Sequence, residues 1–403
     1  MARKRYTKEN VLDAARRRIS QIFDSVEVVT VSFSGGKDSS VTLHLVMDEA
    51  IKRGRKVGVL IVDLEAQYKA TVDHIHDMVN LYRDHIDLHW FCGPINLRNA
   101  VTNYQPQWQA WEPGREDIWV RNKPNFAISE YPWFQPGMEF EEFISLWGIW
   151  YAGGKKSAAF IGIRAQESFN RYCTIAVWDK RDLMLNGWRW TTKVGAQVYN
   201  AYPIYDWLSE DIWRYYSKHP DKPHNRIYDL MQQAGVPLSQ QRLCQPYGDD
   251  QRKGLWLYQI LEPETWGKLI VRVNGANSMA IYVQESGNIM GYNKITKPPG
   301  HTWQSFTNLL LRSLPKSTRE HYMAGMKKFM LGWRNRGYEV IPDEAPPELE
   351  ADHWAPSWRR MCKCLLRNDW WMKGLGFQQP KSAAWARYKE MKKQKPQMQD
   401  VLA

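Results

Sequence analysis

The chain has 403 residues, 43% hydrophobic and 24% charged, the proportions of a globular protein of two or three domains rather than a disordered one. No apolar run approaches the roughly 18 residues of a membrane span. Five cysteines do not make a disulfide framework and the basic N-terminus has no apolar segment behind it, so a membrane or secreted form is not expected and a reducing cytoplasm is the expected location. The net charge of +12 sits at the two ends, with seven Lys/Arg against two Asp/Glu over residues 1–20 and eleven against four over 351–403. Such ends either touch nucleic acid or an acidic partner, or serve only as solubilising tails.

In chain order, apolar residues at helical spacing from Val11 to Phe23 predict a helix over 7–23 with Thr7 as its N-cap. The β-branched run Val26–Phe33 predicts a buried strand, followed by the polar turn Ser34-Gly35-Gly36-Lys37-Asp38-Ser39-Ser40 and a helix from Val41. A strand at Val57–Val62, a helix near 68–84 and a strand at Ile86–Phe91 follow. Strands alternating with helices predict an α/β fold, a parallel sheet flanked by helices. Residues 103–138, rich in Trp, Pro, Gln and Gly, read as an ordered aromatic insertion. A helix near 139–151, a strand at Ala158–Ile163, a strand-like piece at 199–204 and a helix at 209–217 come next. Beyond about 240 short helical segments dominate, with a hairpin expected at 280–292 and a basic helix at 381–395. The expected division is a nucleotide-binding domain over 1–240 and a mostly helical, Trp-rich, basic domain over 241–403.

The SGGKDSS turn lies between a strand and a helix. Two glycines let successive amides face inward, the helix adds its positive end, Ser34, Ser39 and Ser40 add hydroxyls, and Lys37 adds charge. Such a nest suits a pyrophosphate-sized anion, and it is not a Walker A loop, which would read G-x-x-x-x-G-K-[ST]. An ordinary glycine turn with a serine-rich cap is the alternative.

SGGKDS resembles the pyrophosphate loop of the PP-loop ATP pyrophosphatase superfamily. Three further strings resemble its phosphoadenosine phosphosulfate (PAPS) reductase branch: Val62-Asp63-Leu64-Glu65-Ala66-Gln67-Tyr68 with Thr71, Gly162-Ile163-Arg164-Ala165-Gln166-Glu167-Ser168, and Tyr202 to Trp207 with Asp211-Ile212-Trp213, followed by Asn225 and Tyr228. The resemblance implies that Ser34, Gly35, Gly36, Lys37, Asp38 and Ser39 hold phosphates. It implies that Asp63 lies near the nucleotide and a magnesium ion, that Arg164 meets a phosphate or sulfate-like oxyanion, and that Gly162, Glu167 and Ser168 shape that turn. Lys37, Asp38 and Arg164 would carry the catalysis. For Arg164 an ion pair with Glu167 is the alternative, and Asp206 and Asp211 are expected to position the helix after them.

The branch's E-C-G-L-H string is absent. Cys244 stands in RLCQPYGDDQRKGL, where a small half-buried residue is expected, and Cys362-Lys363-Cys364 with His353 has the wrong spacing for a C-x-x-C metal knuckle. No cysteine set suits an iron–sulfur cluster. The second half resembles the C-terminal region, a domain of unknown function, of a bacterial and phage subfamily typified by immunoglobulin-binding regulator A. That resemblance implies a ParB-like protein partner and transcriptional coactivation. Residues 248–254 could add a second phosphate or metal contact, or form only a solvated loop. Trp303, Trp333, Trp354, Trp358, Trp370 and Trp371 alternate with basic residues, as in single-stranded nucleic-acid surfaces or, the favoured reading, as in a Trp core with Arg stems stacked on it. Three functions follow: ATP cleavage between the α- and β-phosphates that adenylates an acceptor, PAPS or adenylyl-sulfate reduction through an unconventional thiol, or a nucleotide-gated, non-enzymatic regulator.

Overall fold

In a computed structural model of the chain, the described residues are 7–102, 104–176, 183–249, 254–276 and 297–378. The expected hairpin at 280–292, the basic helix at 381–395 and residues 250–253 of the polar segment lie outside them. The chain forms two compact units, one built on Met1–Ile95 and Ala110–Leu243, the other on Asn96–Gln109 and Cys244–Lys381.

The first unit is a six-stranded sheet in the order β3-β2-β1-β6-β8-β7. Its strands are β1 (Val28–Ser32), β2 (Val57–Val62), β3 (Ile86–Phe91), β6 (Ser157–Ile161), β7 (Thr191–Lys193) and β8 (Val198–Ala201). All neighbours pair in parallel except β7, which runs antiparallel to β8. The order turns around at β1: the chain moves outward through β2 and β3, then returns to the other side of β1 as β6. Open α/β sheets bind ligands in the crevice at such a switch, at the carboxyl ends of the strands. The loop after β1 opens at that point.

The helices of this unit are α1 (Val11–Ser25), α2 (Lys37–Lys52), α3 (Lys69–Tyr82), α4 (Phe140–Ala152), α5 (Phe169–Ala176), α6 (Ser209–Lys218) and α7 (Ile227–Gln233). The first helix starts later than expected, because Asn10 and not Thr7 is its N-cap, accepting from the Asp13 amide at 2.9 Å. Thr7 turns its hydroxyl to the Glu9 carbonyl instead. Asp211 caps α6 as expected, accepting from Leu208 N at 2.9 Å. Asp206 acts elsewhere: its carboxylate takes both terminal nitrogens of buried Arg18 at 2.8 and 2.7 Å, tying α1 to the segment after β8. Helix α2 is buried nearly all round, so its polar residues must find partners inside. Ser40 Oγ lies 2.8 Å from His74 Nε2, Thr42 donates to the Asp38 carbonyl, and His44 Nε2 lies 2.9 Å from the Pro223 carbonyl.

Among the described residues, the second unit joins a hairpin, β4 (Asn96–Arg98) with β5 (Gln107–Gln109), to the helices α8 (Trp256–Leu261), α9 (Pro263–Arg272), α10 (Trp303–Ser313), α11 (Lys316–Arg334), α12 (Pro347–Ala351) and α13 (Trp358–Leu366). The tryptophans here serve mainly as core. Trp303 and Trp333 are buried, and Trp370 stacks on His321 with ring centroids 3.7 Å apart while the Arg98 guanidinium covers it at 5.2 Å. Trp354 is the exception, 69% exposed.

Candidate functional site

The turn after β1 depends on glycine at its first glycine position. Gly35 has φ +73°, and a Cβ there would lie 2.7 Å from Ile75 Cγ1, so both conformation and space require glycine. Gly36 is the N-cap of α2 and supplies no side-chain oxygen to it. Helix N-termini usually receive such an oxygen from Ser, Thr or Asp. Here the first amides are left for another acceptor, at the positive end of the helix dipole. One of them is already placed: Lys37 N donates to Tyr228 Oη at 3.1 Å. The serine hydroxyls are mutually ordered, with Ser34 Oγ and Ser39 Oγ 3.1 Å apart and Ser39 Oγ donating to the Gly36 carbonyl.

Asn225 fixes the turn from behind. It is fully buried, its Nδ2 donates to the Gly35 carbonyl at 2.8 Å and to Thr71 Oγ1 at 3.0 Å, and its Oδ1 accepts from Ile227 N. The sequence gives no role to Asn225 or Tyr228 beyond a motif match; the structure makes them the supports of the loop.

The turn after β6 presses on the start of α2. A Cβ on Gly162 would lie 2.8 Å from the backbone of Asp38 and Ser39. Arg164 comes with it, only 3% exposed, its Nε donating to Asp38 Oδ1. The Glu167 contact is longer, at 3.6 Å, and Glu167 also pairs with Arg171. Ser168 Oγ accepts from Arg171 N at 3.2 Å, opening α5. Lys37 is buried, with Nζ 3.5 Å from Asp38 Oδ2 and donating to the Gln241 carbonyl at 3.1 Å. Burial, opposed by Asp38 and reinforced by the charge of Arg164, holds the Lys37 ammonium below its ordinary pKa. Arg242 reaches the same place, donating to the Glu167 carbonyl at 2.8 Å. Three cations, Lys37, Arg164 and Arg171, thus share two carboxylates, Asp38 and Glu167, and a fourth, Arg242, joins them through a backbone carbonyl. The excess is positive and faces the uncapped helix end, an arrangement that can hold an anion.

Asp63 stands apart from this group. Its side chain is wholly buried at the end of β2, where Oδ1 accepts from Glu65 N and from Arg121, and Oδ2 from Trp90 Nε1 at 2.8 Å. As placed, the Asp63 carboxylate is taken by three donors of the chain itself, which leaves it little room for the magnesium ion that the resemblance implies. Among the described residues no group of three or more His, Cys, Asp or Glu could hold a metal ion. Glu65, quoted in the sequence only as part of the Val62–Tyr68 string and assigned no role there, has φ +65° and zero exposure, and its carboxylate accepts from Trp111 N at 2.6 Å and Val120 N at 3.1 Å. It anchors the aromatic insertion onto the end of β2, with Trp111 Nε1 donating to the Asp63 carbonyl.

Cys244 is exposed, not half-buried. Cys362 and Cys364 are both buried on α13, and burial pushes the Cys362 thiol up to about 11 and that of Cys364 well above its ordinary value. Neither is a ready thiolate.

The fold and its loop define a phosphate-loop α/β protein. The chain belongs to the phosphoadenosine phosphosulfate reductase domain family, whose profile matches residues 28–232, and a domain of unknown function matches residues 235–353. It is 41% identical over 398 residues to the uncharacterised protein YbdN of Escherichia coli K12, covering 98% of this chain and 97% of that one. An uncharacterised protein of Methanocaldococcus jannaschii is 26% identical over 227 residues, 55% of this chain and 38% of that protein. Two solved structures give loose matches. The PAPS reductase of Candida auris in its phosphate complex has TM-score 0.28 at 12% identity, covering 56% of this chain and 93% of that one. The FMN adenylyltransferase of Candida glabrata with FAD and pyrophosphate has TM-score 0.32 at 14% identity, covering 56% and 64%. No helix among the described residues is long and apolar enough to cross a membrane.

Proposed function

We propose that this protein binds ATP at the Ser34–Ser39 turn and cleaves it between the α- and β-phosphates, transferring AMP to an acceptor. One observation carries the reading: an uncapped helix start, formed on a φ +73° glycine, stands beside two buried cations, Lys37 and Arg164, with the exposed Arg242 next to them, at the switch point of the sheet. A nucleophile on the acceptor attacks the α-phosphorus, the bond to the bridging oxygen breaks, and pyrophosphate leaves with that electron pair. The negative charge of the leaving group falls on the amides of the turn, on Lys37 and on Arg164, so preorganised electrostatics supply the rate. Lys37 exchanges the Gln241 carbonyl for a phosphate oxygen, a stronger, charge-assisted bond. A magnesium ion would add charge neutralisation on the phosphates; among the described residues no group of three or more His, Cys, Asp or Glu is placed to hold it. The subfamily resemblance of the second half supports a ParB-like protein as the first acceptor or partner to supply. The test is pyrophosphate release from ATP with that partner present: Lys37→Ala abolishes release, whereas turnover unchanged by Lys37→Ala removes the turn from the mechanism. Sulfite formed from PAPS, and lost in Cys244→Ser, would instead favour sulfonucleotide reduction.

A further inference from the structure

The short segment after α7 lies across the phosphate turn, and its geometry is fixed from both sides. Leu238–Gln240 is a single 3₁₀ turn, and Gln241 after it is only 1% exposed, its side-chain amide donating to the Val236 carbonyl at 3.0 Å. The Gln241 carbonyl then accepts from Lys37 Nζ at 3.1 Å, and the next residue, Arg242, places Nη2 on the Glu167 carbonyl at 2.8 Å. Gln241 and Arg242 together therefore link the lysine of the turn to the loop that carries Arg164.

What distinguishes Arg242 is its charge balance. Asp38 is shared by Lys37 and Arg164, and Glu167 by Arg164 and Arg171. Among the described residues Arg242 makes no ion pair; one backbone carbonyl takes one of its five N–H donors, and the side chain is exposed. Its field, with that of Arg164, also opposes the charge on Lys37. Cations that converge in excess of the carboxylates between them repel one another, and a polyanion relieves that repulsion. A guanidinium fork with open donors matches a phosphate edge.

We infer that Arg242 is a further ligand for the β- and γ-phosphates, the pyrophosphate unit that the Ser34–Ser39 turn holds, selecting nucleoside triphosphate or pyrophosphate over monophosphate. This rests on the nucleotide reading of that turn and adds the residue that measures phosphate chain length. Arg242 is exposed and anchored by one bond, so it swings onto the ligand without disturbing the core, while the buried Gln241 keeps its root in place.

The experiment is titration calorimetry on the full chain with ATP, inorganic pyrophosphate and AMP as separate probes, using wild type, Arg242→Ala and Arg242→Lys. Arg242→Ala weakens ATP and pyrophosphate by about tenfold or more, the loss of a hydrogen bond between charged groups, and leaves AMP within about twofold. Arg242→Lys recovers part of the loss. ATP and pyrophosphate falling alike show that the phosphates alone are read, whereas a loss confined to ATP shows a contact within the intact nucleotide; either supports a ligand of the β- and γ-phosphates. Unchanged affinity for both in Arg242→Ala, or an equal loss for AMP, overturns the inference while the nucleotide reading stands. If the wild type binds none of the three, that reading fails first and the inference falls with it. A melting temperature equal to that of wild type checks that the variant is folded.

Discussion

Arg164 Nε donates to Asp38 Oδ1 across 126 residues of sequence, joining the turn after β6 to the first turn of α2. The arginine side chain is 4% exposed and the aspartate 14%, so water screens the pair little. This pair, rather than the Arg164–Glu167 contact, is the main hold on Arg164. Asp38 thereby keeps two cations, Lys37 and Arg164, aimed at the helix start.

Removing either partner leaves a buried charge with weaker compensation. Arg164→Ala is expected to cost about 3 kcal/mol of stability. Together with Asp38→Ala, the double variant should lose less than the sum of the singles by about 1 kcal/mol or more, because the two side chains interact directly. Urea unfolding of the four proteins gives the cycle, and strict additivity would mean that the pair contributes nothing.

Gly162→Ala tests the contact between the two turns. The added Cβ would meet the Asp38 carbonyl carbon and oxygen at 2.8 Å, backbone atoms that cannot swing away. Overpacking of this kind costs about 1–3 kcal/mol. A melting curve should show the loss, and nucleotide affinity should fall with it.

Asn225→Ala removes two donated bonds and one accepted bond from a fully buried site. The expected destabilisation is about 2–3 kcal/mol, since the Gly35 carbonyl and Ile227 amide lose their partners without gaining water. Tyr228→Phe is milder in stability, freeing the Lys37 amide. Thermal denaturation of both variants in parallel separates the two effects.

Much of the site was legible because it is local. The strand, the SGGKDSS turn and the helix after it form one continuous string, and the strand boundaries at Val57–Val62 and Ile86–Phe91 fall where hydrophobic runs put them. The Gly162–Ser168 string likewise lands against that turn. Partnerships made at long range were not legible: Arg18 with Asp206, Arg164 with Asp38, and Asn225 with Gly35 depend on topology that no spacing encodes. Glu65 was hidden for a different reason. Its left-handed backbone is uncommon for a side chain other than glycine and is held by hydrogen bonds from an insertion 46 residues away. The three-residue strands β4, β5 and β7 were too short for alternation to register.

Burial also makes stability depend on pH. His44 and His74, both within the α2–α3 layer, are pushed down to about 4 and about 3, in each case mainly by desolvation. Their folded values lie below the unfolded value, so as pH falls below about 6.5 the unfolded chain takes up protons that the native state refuses. Their contribution is complete above that pH and is lost progressively as pH falls toward 4. Each histidine adds about 1.4 kcal/mol per pH unit to the slope in that window. Urea midpoints measured from pH 7 to 4 should fall, with a shallower slope in His74→Asn; a slope unaltered by that substitution would mean that His74 is not buried neutral.

Binding of ATP to the full chain by titration calorimetry, wild type beside Lys37→Ala, tests the central claim most directly. The turn is predicted to bind ATP, with Lys37→Ala weakening it by about tenfold or more through the lost charge-assisted contact. A wild-type protein that takes up no ATP, or a Lys37→Ala protein that binds it equally well, would contradict the assignment of the Ser34–Ser39 turn as the phosphate site.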